Sequence, residues 1–208
     1  MSNLFSWAYF LADSSFDSID PEVRVNRYEV TRIVPVIGEA ALPSLKSLTR
    51  IESARRPLPV DALPPHLLSG VTQHLQYTDA EQRRELLRGA AVELPPSPDT
   101  VTVVIAIRKS DAWWSLATDQ RIAHFQRSQN REGHTAIGLR HVSRIFRRLY
   151  HSRYLESAPA FDFVTYFEFK EEHTPDFLDL LRSLRDVDQN PEWGFVDAEV
   201  ELWMRKVT

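Results

Sequence analysis

The side chains able to do chemistry in this 208-residue chain are few enough to weigh one at a time. There is no cysteine, so disulfides, thiolate metal sites, iron–sulfur clusters and sulfur nucleophiles are excluded. A metal would have to be held by histidine, carboxylate or tyrosine. The seven histidines stand at 66, 74, 124, 134, 141, 151 and 173. None joins a second histidine and a carboxylate at the spacing of a zinc hydrolase helix. His66, His124 and His173 fall near turns or polar faces, where solvated or capping roles are expected. What remains is a metal that brings most of its own ligands, as haem does, and needs one axial imidazole from the chain.

Bulk properties point the same way. A net charge of -4 and a pI near 6.0 leave no basic surplus to neutralise a phosphate backbone, so nucleic-acid binding is not expected. No run approaches the length of apolar residues that a membrane helix needs. The apolar stretch Leu4 to Ala12 lacks a basic leader and reads as a strand, which makes the cytoplasm the default location. A chain of this length with 43% hydrophobic residues can bury a substantial core, expected here as two packed halves.

The elements that must position any site can be traced in order. Residues 27–38 (RYEVTRIVPVIG) suit a strand, with Pro35 implying an edge or a bulge. From Ala41 to Pro65 five prolines predict a wandering connection with little regular structure. Thr78 and Glu81 form a capping box for a helix over 80–88 that stops at Gly89. The segment ELPPSPD (93–99) separates the halves. Val101 to Arg108 reads as a buried strand, followed by helices over 111–117, 119–130 and 134–151. The last has an apolar stripe of Ile137, Leu139, Val142, Ile145, Phe146 and Leu149, and would carry His134, His141, Arg147 and His151 together. Phe161 to Phe169 alternates as a strand with an aromatic face, Pro175 opens a helix to about Val187, and Trp193 to Arg205 is a final strand. Strand, helices, strand, helix, strand is a ferredoxin-like α+β order.

Five segments, in this order, carry a resemblance to a known family: GVTQHLQY (70–77), IRKSDAWW (107–114), HTAIGL (134–139), RRLYHSRYL (147–155) and FDFVTYFEF (161–169). They resemble consecutive blocks of the short chlorite dismutases, across approximately residues 27–205. The resemblance implies an α+β fold of duplicated ferredoxin-like antiparallel sheets with covering helices. Residues 1–95 would form a partly irregular N-terminal half and 96–208 the half that binds haem b. It implies that His134 is the iron ligand, with small Ala136 and Gly138 beside it letting a flat macrocycle approach the backbone. It implies that Arg147 is the catalytic residue on the opposite face, where a planar, permanently charged fork would hold an oxychlorine anion. As a helix residue, Arg147 would lie roughly 20 Å along the axis from His134 and reach back. Lys109 is implied as the counter-charge of a haem propionate and Trp113 as packing at the haem edge. The carboxylate that accepts from the ligating imidazole is either Asp188 or Glu192, since an apparent insertion, QNP, leaves the register open.

The implied reaction is the decomposition of chlorite, a small anionic substrate, to chloride and dioxygen by a homodimer. Two other readings share these residues. One is a coproheme decarboxylase, against which Arg147 argues because some of its branches have glutamine there. The other is a non-catalytic haem-binding or haem-sensing protein, for which Arg147 would be dispensable. Tyr77, Tyr150 and Tyr166 are expected as core residues.

Overall fold

The computed structural model describes residues 5–18, 20–39, 42–54, 56–59, 63–72, 80–153, 155 and 159–207. His74, Tyr77 and Thr78, with the proposed capping box, lie outside the described residues.

Alternation dictates the architecture. In β5 (Thr100–Lys109), Val101, Val103, Ile105 and Ile107 pack into one apolar cluster, whereas Val104 and Ala106 pack into another. Both faces are therefore buried, which is why the run is almost continuously apolar. The same division holds in β7 (Phe163–Lys170) and β8 (Val196–Val207): Phe167, Phe169 and Trp203 join the first cluster, and Val164, Tyr166, Val200 and Leu202 the second. The second cluster also takes Ala8 and Phe10 from β1 (Ser6–Ala12), Tyr28 from β2 (Val23–Ile37), Leu48 from β3 (Ser47–Ala54) and Leu68 from β4 (Leu68–Val71). It is the inside of a barrel. With β6 (Phe146–His151), the strands close in the order β1-β3-β2-β8-β5-β7-β6-β4. Every adjacent pair within it is antiparallel. Closure removes free sheet edges. Along β2, Pro35 sits next to a register shift against β8, where a missing N–H is tolerated.

Helices cover the outside of the second half. α1 (Ala80–Gly89), α2 (Asp111–Ser115), α3 (Thr118–Phe125) and α4 (His134–Leu139) are short, and α5 (Thr174–Arg185) lays Phe177, Leu180, Leu181 and Leu184 on β5, β7 and β8. Phe177 stacks on Phe169 at 4.6 Å between centroids. None of the helices among the described residues is long and apolar enough to cross a membrane.

Two expectations fail. The predicted helix over 134–151 ends at Leu139; a turn follows, and residues 146–151 are strand β6, between β7 and β4. His134, His141 and His151 are therefore on a helix, a turn and a strand. The predicted irregular connection over 41–65 contains β3, whose inward-facing Arg50 and Glu52 are buried inside the barrel. Arg50 pairs with Glu52 and Glu93 and lies 4.0 Å over the Tyr166 ring, while Arg148 of β6 reaches Glu52. Mutual pairing lets these charges exist in a core, and Tyr150 and Tyr166 lie in that core as expected.

Replacing Phe177 by Ala removes a fully buried ring and should cost about 3–5 kcal/mol of unfolding free energy in urea, whereas Leu178→Ala, on the exposed side of α5, should stay within about 0.5 kcal/mol. Equal costs would mean that α5 does not pack as described.

Candidate functional site

Between the outer face of β5, β7 and β6 and the short helices lies a cavity of about 410 Å³. Its walls are mainly apolar, from Ile105, Ile107, Phe125, Ile145, Phe163 and Leu181. Lys109, Trp113, His134, Arg147 and Glu192 also line it, so five of the six residues expected at the site meet here, and Asp188 does not.

His134 opens α4, and the residue before it explains how. Gly133 has φ 77°, and a Cβ there would lie 2.6 Å from the Phe125 carbonyl oxygen, so only glycine lets the chain turn into the helix at this point. The Gly133 N–H donates to the Gln189 carbonyl at 2.9 Å, and the Glu132 N–H reaches the Gln189 side chain at 3.3 Å. The QNP segment that obscured the register thus docks the start of α4. Directly after it, Pro191–Phe195 forms a 3₁₀ turn that directs Glu192 inward.

Glu192 Oε2 stands 3.2 Å from His134 Nδ1, and Oε1 pairs with the Lys109 ammonium. Lys109 Nζ also donates to the Glu192 carbonyl at 2.9 Å. Asp188 is exposed, and its backbone N–H bonds Asp186, so the partner of His134 is Glu192. The structure also places Lys109 differently from the expectation of a propionate counter-charge. Its ammonium is buried against Glu192, 5.1 Å from the Trp113 ring and 5.5 Å from that of Trp193. The register shift between Arg108 and Lys109 against β8 sets it at this strand end. Trp113 is buried among Phe125 and Phe195, with the half-buried His124 ring packed beside it.

The electrostatics follow from burial and pairing. Burial pushes the Glu192 carboxyl up, but the Lys109 charge and the His134 hydrogen bond outweigh it and hold the group well below the usual carboxylate range. Burial lowers the His134 pKa, with Glu192 opposing, so the imidazole is neutral near pH 7. An ionised carboxylate at Nδ1 fixes the proton there and leaves the lone pair on Nε2, which has no protein hydrogen-bond partner among the described residues. This nitrogen can hold a metal that arrives with its other ligands. Among the described residues no group of three or more His, Cys, Asp or Glu gathers around a bare ion.

Arg147 lies on β6 opposite Phe167, on the wall itself, so it does not reach back from a distant helix turn. Protein surrounds it, which lowers its pKa, with Glu192 opposing; yet much of its surface faces open cavity and not packed atoms. It makes no hydrogen bond or ion pair with another described residue, while its neighbour Arg148, on the other face of the strand, is paired with Glu52. Gly138 lines the same cavity, and a Cβ added there would meet nothing within 4 Å. Ala136 is not part of the lining. Two contributors escaped the sequence reading. His151 faces the cavity from β6, and Asp162 is buried, accepting from the Lys109 N–H at 2.7 Å and from Arg153 at 2.8 Å. Asp162 stands in the FDF block, where only the family resemblance drew attention.

Glu192→Gln leaves the Lys109 ammonium buried without its counter-ion and should cost about 3–5 kcal/mol of stability at neutral pH. The native carboxylate stabilises above its unfolded pKa and loses that contribution as pH falls through its depressed folded value, so the gap between the two proteins should narrow steadily below about pH 4. Adding Lys109→Met should restore most of the loss; if it restores none, the pair is not a coupled unit.

No family model matches the chain. A curated chlorite dismutase of Ideonella dechloratans is 29% identical over 131 residues, 61% of this chain; the match spans 42% of that protein, less than half its length. Among solved structures, a variant chlorite dismutase from Candidatus Nitrospira defluvii, in complex with cyanide, is similar in fold, with 20% identity, 98% of this chain and 90% of that chain covered, and a TM-score of 0.65. The dimeric chlorite dismutase of Nitrobacter winogradskyi is 31% identical, with 95% of this chain and 99% of that one covered and a TM-score of 0.73. Read together with the cavity that joins His134 to Arg147, this likeness over almost the whole of both chains means that the protein belongs to the chlorite dismutase family.

Proposed function

We propose that the protein is a haem b oxidoreductase that decomposes chlorite to chloride and dioxygen. The observation that carries this reading is that two polar groups without protein partners among the described residues, His134 Nε2 and the Arg147 guanidinium, face one mainly apolar cavity. The open space beside Gly138 supports a fit to a flat cofactor, because the backbone of α4 has no side chain there to keep it away.

His134 would hold the iron through Nε2, with Glu192 keeping the proton on Nδ1 and making the imidazole a stronger donor. An iron porphyrin held there by His134 would supply the redox chemistry that converts one chlorite into one chloride and one dioxygen. The chain does the rest. Arg147 attracts the anion, orients its oxygens with a planar fork and holds the oxychlorine fragment in place. Apolar walls exclude water, which strengthens the attraction. No side chain has to deliver a proton, in keeping with an arginine and not an acid at this position.

Two coarser features support the same reading. The strands run β4-β1-β3-β2 in the first half and β8-β5-β7-β6 in the second, fourth-first-third-second in each. We take these as two ferredoxin-like units over 1–95 and 96–208, with the helices of the second and α1 of the first lining the cavity. The dimeric relative supports a homodimeric assembly.

Loaded with haem b, the protein should release oxygen from chlorite at a Clark electrode. Arg147→Ala should lower kcat/KM at least about 100-fold with haem uptake unchanged. His134→Ala should lose the absorption spectrum of a histidine-ligated haem. A fully loaded wild type that releases no oxygen would overturn the activity.

A further inference from the structure

The chain presents a second polar group to the cavity that the reaction above leaves without a task. His151 lies on β6 with Arg147 and Leu149 on the same face, four residues and about 13 Å of strand from Arg147. Its ring meets Phe163 edge-on at 5.1 Å, and Phe163 in turn stacks on Trp114 at 5.8 Å. Neither ring nitrogen bonds a described residue. Of the other cationic or imidazole groups lining the cavity, Lys109 and His134 are engaged with Glu192 and Arg148 with Glu52, whereas His141 lies 3.5 Å from Asp179 without a hydrogen bond. On the cavity face of β6, Arg147 and His151 have no ion-pair or hydrogen-bond partner among the described residues.

A porphyrin brings anionic carboxylates at its edge as well as a metal at its centre. With Lys109 committed to Glu192, the cavity needs another donor for them. We propose that His151 is the residue that binds an edge carboxylate of the porphyrin, while Arg147, further along the same strand face, is left for the substrate anion. This rests on the haem-binding reading above and adds a residue role to it.

Burial, and then the charge of Arg147, push the free imidazole down to about 4, so it waits neutral at working pH. The charged and titratable groups that share the cavity from other elements are Lys109, His134, His141 and Glu192, of which Lys109 and Glu192 neutralise one another. A carboxylate arriving at the imidazole favours its protonated form and raises its pKa. The bound value then exceeds the free value, so the extra affinity is complete below the free pKa and is lost as pH rises through the bound one.

The test titrates apoprotein with iron protoporphyrin and with its dimethyl ester, whose carboxylates carry no charge, at about pH 5 and about pH 7.5. The wild type should prefer the free acid by roughly ten-fold or more, and the preference should grow at the lower pH. His151→Leu should lose about ten-fold of that preference at both values. His151→Gln keeps a neutral donor, so it should retain the preference near neutrality and lose its growth in acid. Thermal melting of both variants checks that the barrel is intact. Wild-type discrimination in His151→Leu at both pH values overturns this proposal while leaving His134 as the ligand. Absence of any porphyrin binding, or binding indifferent to His134→Ala, overturns both.

Discussion

A buried carboxylate held between an ammonium and an imidazole is the interaction on which the site depends. Glu192 could not stay ionised in this apolar surrounding alone, and Lys109 is what keeps it charged. In that state it fixes the tautomer of His134 and aims the free nitrogen at the cavity. Three chain segments meet in this contact: the end of β5, the first residue of α4 and the turn that precedes β8. The sequence distance between them, 109 to 134 to 192, explains why the whole second half must be folded before the ligand is in place.

The barrel supplies the fixed surface. Strands buried on both faces cannot shift register without moving every side chain to the wrong side. β6 uses this constraint twice, since Arg148 and Tyr150 are locked inside while Arg147 and His151 look outward into the cavity. The ion pair of Arg148 with Glu52 therefore fixes the strand from which the adjacent arginine acts.

Much of this was legible in the sequence, and the failures have physical causes. β5 and β7 were readable because two-sided burial leaves an apolar run or an aromatic alternation. β6 was not. Its polar residues occur on both faces, one set paired in the barrel and the other open to the cavity, so the period of two is hidden, and Val142, Ile145, Phe146 and Leu149 imitate a helical stripe. β3 was hidden for the same reason, since its buried Arg50 and Glu52 look like surface residues until their partners are known. Residue types indicated His134, Arg147, Lys109 and Trp113 only through the family resemblance. The choice between Asp188 and Glu192 needed the backbone, because Gln189 docks the start of α4 and Asn190 donates to the Leu184 carbonyl at the end of α5 before the chain turns inward. The task of Lys109 likewise came from geometry, since spacing alone does not show that its partner lies 83 residues away.

The most direct test is the iron–histidine stretching frequency of the ferrous, haem-loaded protein, measured by resonance Raman scattering. If an ionised Glu192 strengthens the ligating imidazole, the band should move to lower frequency in Glu192→Gln and vanish in His134→Ala. An unchanged band in Glu192→Gln, or one that survives without His134, would contradict the account at its centre.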